Sequence, residues 1–256
     1  MRKRLSLLLL LLVVTTFLAG CSEFNEPIYS ESNGFWNEYI VWPLVSAITY
    51  FKDLLGTYGL GIIAVTIIIR LVLLPLMIKQ TKSSKNMQQV QPEMAKLKEK
   101  YSSKDAVTQQ KYQQETMALY KERGINPAAG CLPVFIQMPI LIGFYHAISR
   151  MNSTPEINLG DFAGFTLAEP SIFLAILAGI MQLIVLRTGP AMDNPQMKMM
   201  MYIMPFMIIG FGIVLPAALT LYWVIGNVIS IIQNLFIYKP WNKPKTEPVK
   251  SGGAKK

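Results

Sequence analysis

Histidine occurs once and cysteine twice in this 256-residue chain, and its fifteen acidic residues stay out of every long apolar run. Each shortage removes a class of chemistry. The single imidazole, His146, lies near one end of an apolar run and reads as a packed or interfacial residue, not a metal ligand. There is no HExxH, no GxxxxGKS or GxxxxGKT and no GxSxG, so no enzyme activity, metal or cofactor is expected. Apolar runs without carboxylates weaken the case for a proton-coupled transporter. No pair of similar halves supports an inverted-repeat carrier. A small-solute channel or carrier is kept only as the alternative reading.

What the chain has in quantity is apolar sequence: 52% hydrophobic residues against 15% charged, in recurring runs of membrane length. The net charge of +9 would point to nucleic acid if the basic residues gathered on a soluble domain. They gather beside apolar runs instead, which points to membrane orientation. The N-terminus opens with MRKR and continues LSLLLLLLVVTTFLAG to the motif LAGC, residues 18–21. Small residues before a cysteine at the end of such a stretch resemble a bacterial lipobox. The reading is a lipoprotein signal peptide over 1–20, removed before Cys21, with Cys21 bearing N-palmitoyl and S-diacylglycerol groups.

Residues 21–57 form an outer tether and an amphipathic helix. The helix, 35–55, has Trp36, Ile40, Leu44, Ala47, Phe51 and Leu54 at helical spacing and an apolar core too short to span a bilayer. Pro43 is placed to kink it. Five spans follow, at about 58–78, 129–148, 170–187, 200–215 and 217–238. From an outer Cys21, five crossings put the C-terminus in the cytosol. Charge agrees: ten Lys and Arg lie in 79–129 and six after 238, while 21–58 and 149–169 together hold only Lys52 and Arg150. Cys21 and Cys131 then fall on opposite sides of the membrane, so no disulfide is expected, and Cys131 reads as a small packing residue.

The cytosolic segment 82–123 reads as a helical hairpin. Met87, Val90, Met94, Leu97 and Tyr101 are spaced 3, 4, 3, 4, a heptad seam. The break at SSKDA offers Ser103 as an N-cap, and Gly124 suits the C-cap of the second helix. The tail 239–256 is basic and rich in Pro and Gly, and is expected to be disordered. Anionic headgroups, ribosomal RNA and simple positive-inside anchoring are all compatible with it.

The spans contain neutral polar residues and one charge. Arg70 lies near the middle of the first span, one turn from Thr66. A guanidinium at that depth costs roughly 2.5–3.5 kcal/mol on insertion scales. The second span has Gln137 and the third Gln182. The fifth has Trp223, Asn227, Ser230 and Asn234, spaced 4, 3, 4 on one face, with Gln233 beside it. Taken singly, each polar residue could be an interhelical hydrogen bond. Taken with Arg70 they predict an all-α polytopic membrane protein: a five-helix bundle with an inward-open hydrophilic groove that holds water around the charge. The methionine-rich AMDNPQMKMMMYIMP, 191–205, is either interfacial packing or an adaptable surface for varied apolar partners.

Three stretches bear a resemblance. LVLLPLMIKQTKSSKNMQQVQPEMAKLKEKY, NPAAGCLPVFIQMPILIGFYHAI and MMYIMPFMIIGFGIVLPAALTLYWVIGNVISIIQNLFI closely resemble the YidC/Oxa/Alb membrane protein insertase family over about 58–238. The lipobox and short outer segment are similar to the family's Gram-positive lipoprotein forms, without the large periplasmic domain of Gram-negative relatives. The resemblance implies an insertase and chaperone for newly made membrane proteins, and for lipoproteins, in the plasma membrane of a Gram-positive bacterium. Its expected partners are nascent membrane proteins, the Sec translocon, translating ribosomes and membrane lipids, with no small-molecule substrate. It implies that Arg70 lies in a client-binding groove closed on the outer side, and that the hairpin helps recruit clients. Thr66, Gln137, Gln182, Trp223, Asn227 and Ser230 join the groove from facing and polarity.

Overall fold

The structure, a computed structural model, describes residues 25–103, 105–125, 132–189 and 195–238. The signal segment, Cys21, Cys131 and the basic tail lie outside the described residues, as do 191–194 of the methionine-rich stretch.

A π-helical turn, Asn37–Val41, leads into α1, Trp42–Leu55. Pro43 explains the wide turn: it has no N–H for the carbonyl four residues back, and the Trp42 N–H bonds instead to Asn37 O, five back. Gly56, at φ 96°, ends α1 in the left-handed conformation that glycine adopts without penalty. The long α2, Tyr58–Gln89, is uninterrupted through Pro75. It is followed by α3, Gln91–Lys100, and α4, Ala106–Glu122. Then come α5, Leu132–Ser153, α6, Ile172–Thr188, α7, Pro195–Val214, and α8, Ala217–Tyr238.

A helix therefore stands at each of the five places where a span was expected. Among the described residues two helices, α2 over Tyr58–Ser83 and α8 over Ala217–Ile237, are long and apolar enough to cross a membrane; α6 and α7 include shorter apolar stretches. Large apolar side chains lie bare on these helices, among them Val72, Phe173, Phe206, Val214 and Phe236. Water would not tolerate a belt of that extent.

Two helix groups make the bundle. In one, α2 packs between α1 and α8; in the other, α6 packs against α7 and α8. Small residues set the approach. A Cβ on Gly61 would lie 2.5 Å from Ile48 O of α1, and one on Gly179 would lie 2.4 Å from Ile209 Cγ1 of α7.

The main core sits at one end, here the loop end. Val41, Val45, Ile48, Ile62, Phe144, Ile148, Met151, Leu219 and Tyr222 are all buried there. The connection between α5 and α6 covers it. This connection contains the only strands among the described residues: β1, Asp161–Phe162, and β2, Phe165–Thr166, in a two-residue hairpin. Ala163 and Gly164 both have positive φ, the backbone such a turn requires. The Phe162 ring lies directly on Gly59, and Ala217 N and Ala218 N donate to the carbonyls of Glu169 and Leu167.

At the other end α3 and α4 pair as the expected antiparallel hairpin. Val90 and Leu119 are buried, Arg123 pairs with Glu93 at 2.7 Å, and Lys100 with Glu115 at 3.1 Å. Tyr101 and Lys100 hold the Glu115 carboxyl below its ordinary range. The N-cap of α4 is Asp105, not Ser103: the Asp105 carboxylate accepts from Thr108 N at 2.9 Å, and Ser103 Oγ donates to that carboxylate. At the far end Ile125 N donates to Tyr120 O and Gly124 N to Lys121 O, with Gly124 at φ 62°. That is the paired ending expected of a C-terminal glycine.

Candidate functional site

Where the core stops, the site begins. Tyr222 on α8 stacks on Phe144 of α5, ring centroids 4.3 Å apart, and its hydroxyl accepts a hydrogen bond from Gln137 Nε2. This is the last aromatic layer of the loop-end core. One turn further along α8, Gly226 meets Arg70 of α2. An ideal Cβ on Gly226 would lie 2.5 Å from Arg70 Nη2, 3.3 Å from Cζ and 3.5 Å from Nε, so the guanidinium rests on bare α8 backbone. Arg70 Nη1 lies 3.9 Å from Met77 Sδ, a weak contact two turns further on. The side chain thus reaches along α2 toward the hairpin end, against the usual lean of helical side chains toward the N-terminus.

The arginine has no fixed counter-charge. No Asp or Glu occurs anywhere in α2, α5, α6, α7 or α8, and none of the ion pairs among the described residues includes Arg70. The Tyr222 hydroxyl is within electrostatic reach of the guanidinium. Pro75 removes the helical donor from the Leu71 carbonyl, which leaves an acceptor next to Arg70 in sequence. The site can therefore hold water or receive an anionic group without displacing an internal partner. Among the described residues no group of His, Cys, Asp and Glu is arranged to hold a metal ion.

The other expected groove residues divide. Gln137 is brought to Tyr222, one turn along α8 from the arginine's seat at Gly226. Thr66 is fully buried one turn toward the core, its hydroxyl donating to Ile62 O. Ser230 Oγ donates to Gly226 O at 2.8 Å, directly behind the arginine's seat. Asn227 turns to α6 and donates to Ala178 O at 3.2 Å, as Asn234 does to Val185 O at 3.1 Å. Gln182 is half-buried and turns to α7, its Nε2 lying 3.9 Å from Met204 Sδ. Trp223 is half-buried where the two core clusters meet. Tyr222 and Gly226 were not singled out from the sequence. The available signal was their spacing: 222, 226 and 230 share one face of α8.

A second arginine behaves differently. Arg150, at the loop end of α5, is buried and donates to Glu26 O and Pro27 O at 3.0 Å each, and to Asn37 Oδ1. With Ile28 N bonded to Thr154 Oγ1, these contacts pin the segment before α1 to the bundle. In the sequence alone Arg150 reads only as an outer charge.

A helical membrane bundle with a lone cation set between two apolar helices defines the class. Residues 50–245 match the family described as 60Kd inner membrane protein. The chain is 55% identical to the membrane protein insertase MisCA of Bacillus subtilis (strain 168), over all of this chain and 99% of that protein. It is 53% identical to the membrane protein insertase YidC 2 of Bacillus anthracis, over the full length of both. A crystal structure of the active YidC insertase with its first transmembrane domain resolved superposes with a TM-score of 0.61 at 27% identity. That alignment covers 80% of this chain and 47% of the other. The chain belongs to the 60Kd inner membrane protein family, the YidC/Oxa1 insertases.

Proposed function

We infer that this chain is a membrane protein insertase and chaperone whose working site is the space around Arg70. The observation behind this reading is the combination at that site: a guanidinium set between α2 and α8, with no carboxylate on α2, α5, α6, α7 or α8. A permanent acidic partner would cancel the charge; its absence leaves Arg70 for a transient one. The sequences and names of the relatives support the same conclusion.

The mechanism follows from the packing. The loop end is closed by a dense core and by the β-hairpin connection, so a polar client segment enters from the hairpin end. Arg70 pairs with acidic residues on that segment while its apolar neighbour moves into lipid. Burial of that neighbour, about 25 cal/mol per Å² of apolar surface, supplies the driving force. A membrane potential positive outside adds about 2.3 kcal/mol per 100 mV for each acidic charge carried across. Five spans, α2 and α5 to α8, with the hairpin and the tail in the cytosol and a lipid on Cys21 outside, complete the topology. The hairpin collects clients, and the Sec translocon and translating ribosomes are the partners that deliver them.

Site-specific crosslinking of a stalled nascent membrane protein tests the site. Probes at 77, beside Arg70, and at 137, beside Tyr222, should capture the client's polar segment, and probes at 45 or 148, within the loop-end core, should not. Equal capture at both sets removes the groove.

A further inference from the structure

We propose that Gly226 is a positioning residue for Arg70, and that it sets how well the insertase handles clients with acidic translocated segments. The proposal deepens the reading of Arg70 given above and rests on it.

Three distances motivate it. A methyl group at 226 would stand 2.5 Å from Nη2, 3.3 Å from Cζ and 3.5 Å from Nε of Arg70. The first is closer than non-bonded heavy atoms approach, so the guanidinium would have to move. It is the far end of a flexible side chain, and the helix backbones need not follow. Gly226 is itself buried, and its carbonyl accepts Ser230 Oγ as well as lying in the helical ladder. Such back-bonding bends helices slightly. A glycine in a helix interior costs stability relative to alanine, so its place at the level of the half-buried arginine calls for a reason. With no Cβ at 226, the Nη2, Cζ and Nε side of the fork lies against α8. Nη1, beside Met77, is then the donor nearest the hairpin end, where a carboxylate would arrive.

Displacing the head by about 1 Å from a carboxylate at hydrogen-bond distance weakens the pairing roughly three- to tenfold at the effective dielectric of such sites. The effect should appear only where the client has a charge to present.

The experiment is insertion of two single-span clients, one with an acidic translocated tail and one with the same tail neutralised. The full chain replaces the native protein as wild type, Gly226→Ala, Arg70→Ala and the double variant. Gly226→Ala should lower acidic-tail insertion three- to tenfold and spare the neutral tail, and it should add nothing once Arg70 is alanine. Accumulation of each variant in the membrane is measured alongside. If Gly226→Ala is unstable alone but accumulates in the Arg70→Ala background, the clash with the guanidinium is demonstrated by that route. Instability in both backgrounds, equal loss for both tails, or wild-type handling of the acidic tail by Gly226→Ala overturns the proposal. Should Arg70→Ala itself insert the acidic tail normally, the underlying reading of Arg70 fails instead.

Discussion

Arg150 Nη1 donates to Asn37 Oδ1, joining residues 113 positions apart in sequence and closing a clasp that also takes the carbonyls of Glu26 and Pro27. The contrast with Arg70 is one of saturation. Arg150 spends its donors on fixed acceptors and is buried by them, whereas Arg70 meets backbone, a thioether and a distant hydroxyl.

Removing either partner should loosen the segment before α1 without opening the bundle. Asn37→Ala leaves a buried charge one acceptor short, at a cost of about 1.5–3 kcal/mol. Arg150→Ala strands three neutral acceptors, each costing about 1–3 kcal/mol where it stays buried and unmet, and should be the more damaging of the two. Thermal unfolding in detergent measures the loss, and limited proteolysis should show new cleavage within 26–37. Arg150→Lys should not rescue fully, because an ammonium cannot reproduce the spread of the fork.

Arg70 should obey charge before shape. Arg70→Lys should keep substantial insertion, Arg70→Ala should accumulate normally yet lose clients with acidic translocated tails, and Arg70→Glu should be worst. Depletion of the native protein, complementation and protease mapping of client tails provide the measurement. Normal acidic-tail insertion by Arg70→Ala would make the residue purely structural.

The hairpin gives a pH dependence with a definite sign. Hydrogen bonds from Ser103 and from the Thr108 N–H hold the Asp105 carboxyl well below its ordinary value of 3.8. A folded-state pKa below the unfolded one means that the cap's contribution is complete above the unfolded value. It is lost only as pH falls through the folded one. Amide exchange at 106–109 of the full chain, corrected for intrinsic rates, should therefore stay flat from neutral pH down to about 4 and rise below it. Asp105→Ala should show the raised exchange at neutral pH; Asp105→Asn, a comparable cap, should not.

Deleting about 84–122 should impair client handling more than bundle stability, since the helices bury their faces without it. Insertion assays beside thermal unfolding separate the two. Intact insertion of every client tested would remove the recruiting role.

Cys21→Ser should abolish incorporation of labelled lipid and slow signal removal while the helices still insert. Unchanged labelling removes the lipoprotein assignment.

Much of the fold was legible because apolar periodicity and turn chemistry are local. Residues Leu215–Pro216 mark the turn between α7 and α8, and Gly124 ends α4 as its position implied. Arg70 stood out because a charge inside an apolar run has to be explained. What spacing could not supply was the neighbour of each face. Asn227 and Asn234 do share a face, but it is the one turned to α6, and the surface that meets Arg70 belongs to Tyr222 and Gly226. Helical period says which residues travel together and nothing about what they meet. Ser103 lost the capping position to Asp105 because two good caps stood two residues apart, and the stronger acceptor lay next to the helix. Arg150 was illegible for a different reason: its acceptors are backbone carbonyls more than a hundred residues upstream.

Fastening the bundle at the loop end gives α2 the mechanics of a lever. Its 32 residues extend about 48 Å from a pivot near Gly59 and Phe162, so one degree of tilt there moves the tip by about 0.8 Å. Arg70, about 18 Å from the start of the helix, moves by only about 0.3 Å in the same swing. The mouth can thus widen to admit polypeptides of different girth, while the charge they seek moves less than half as far.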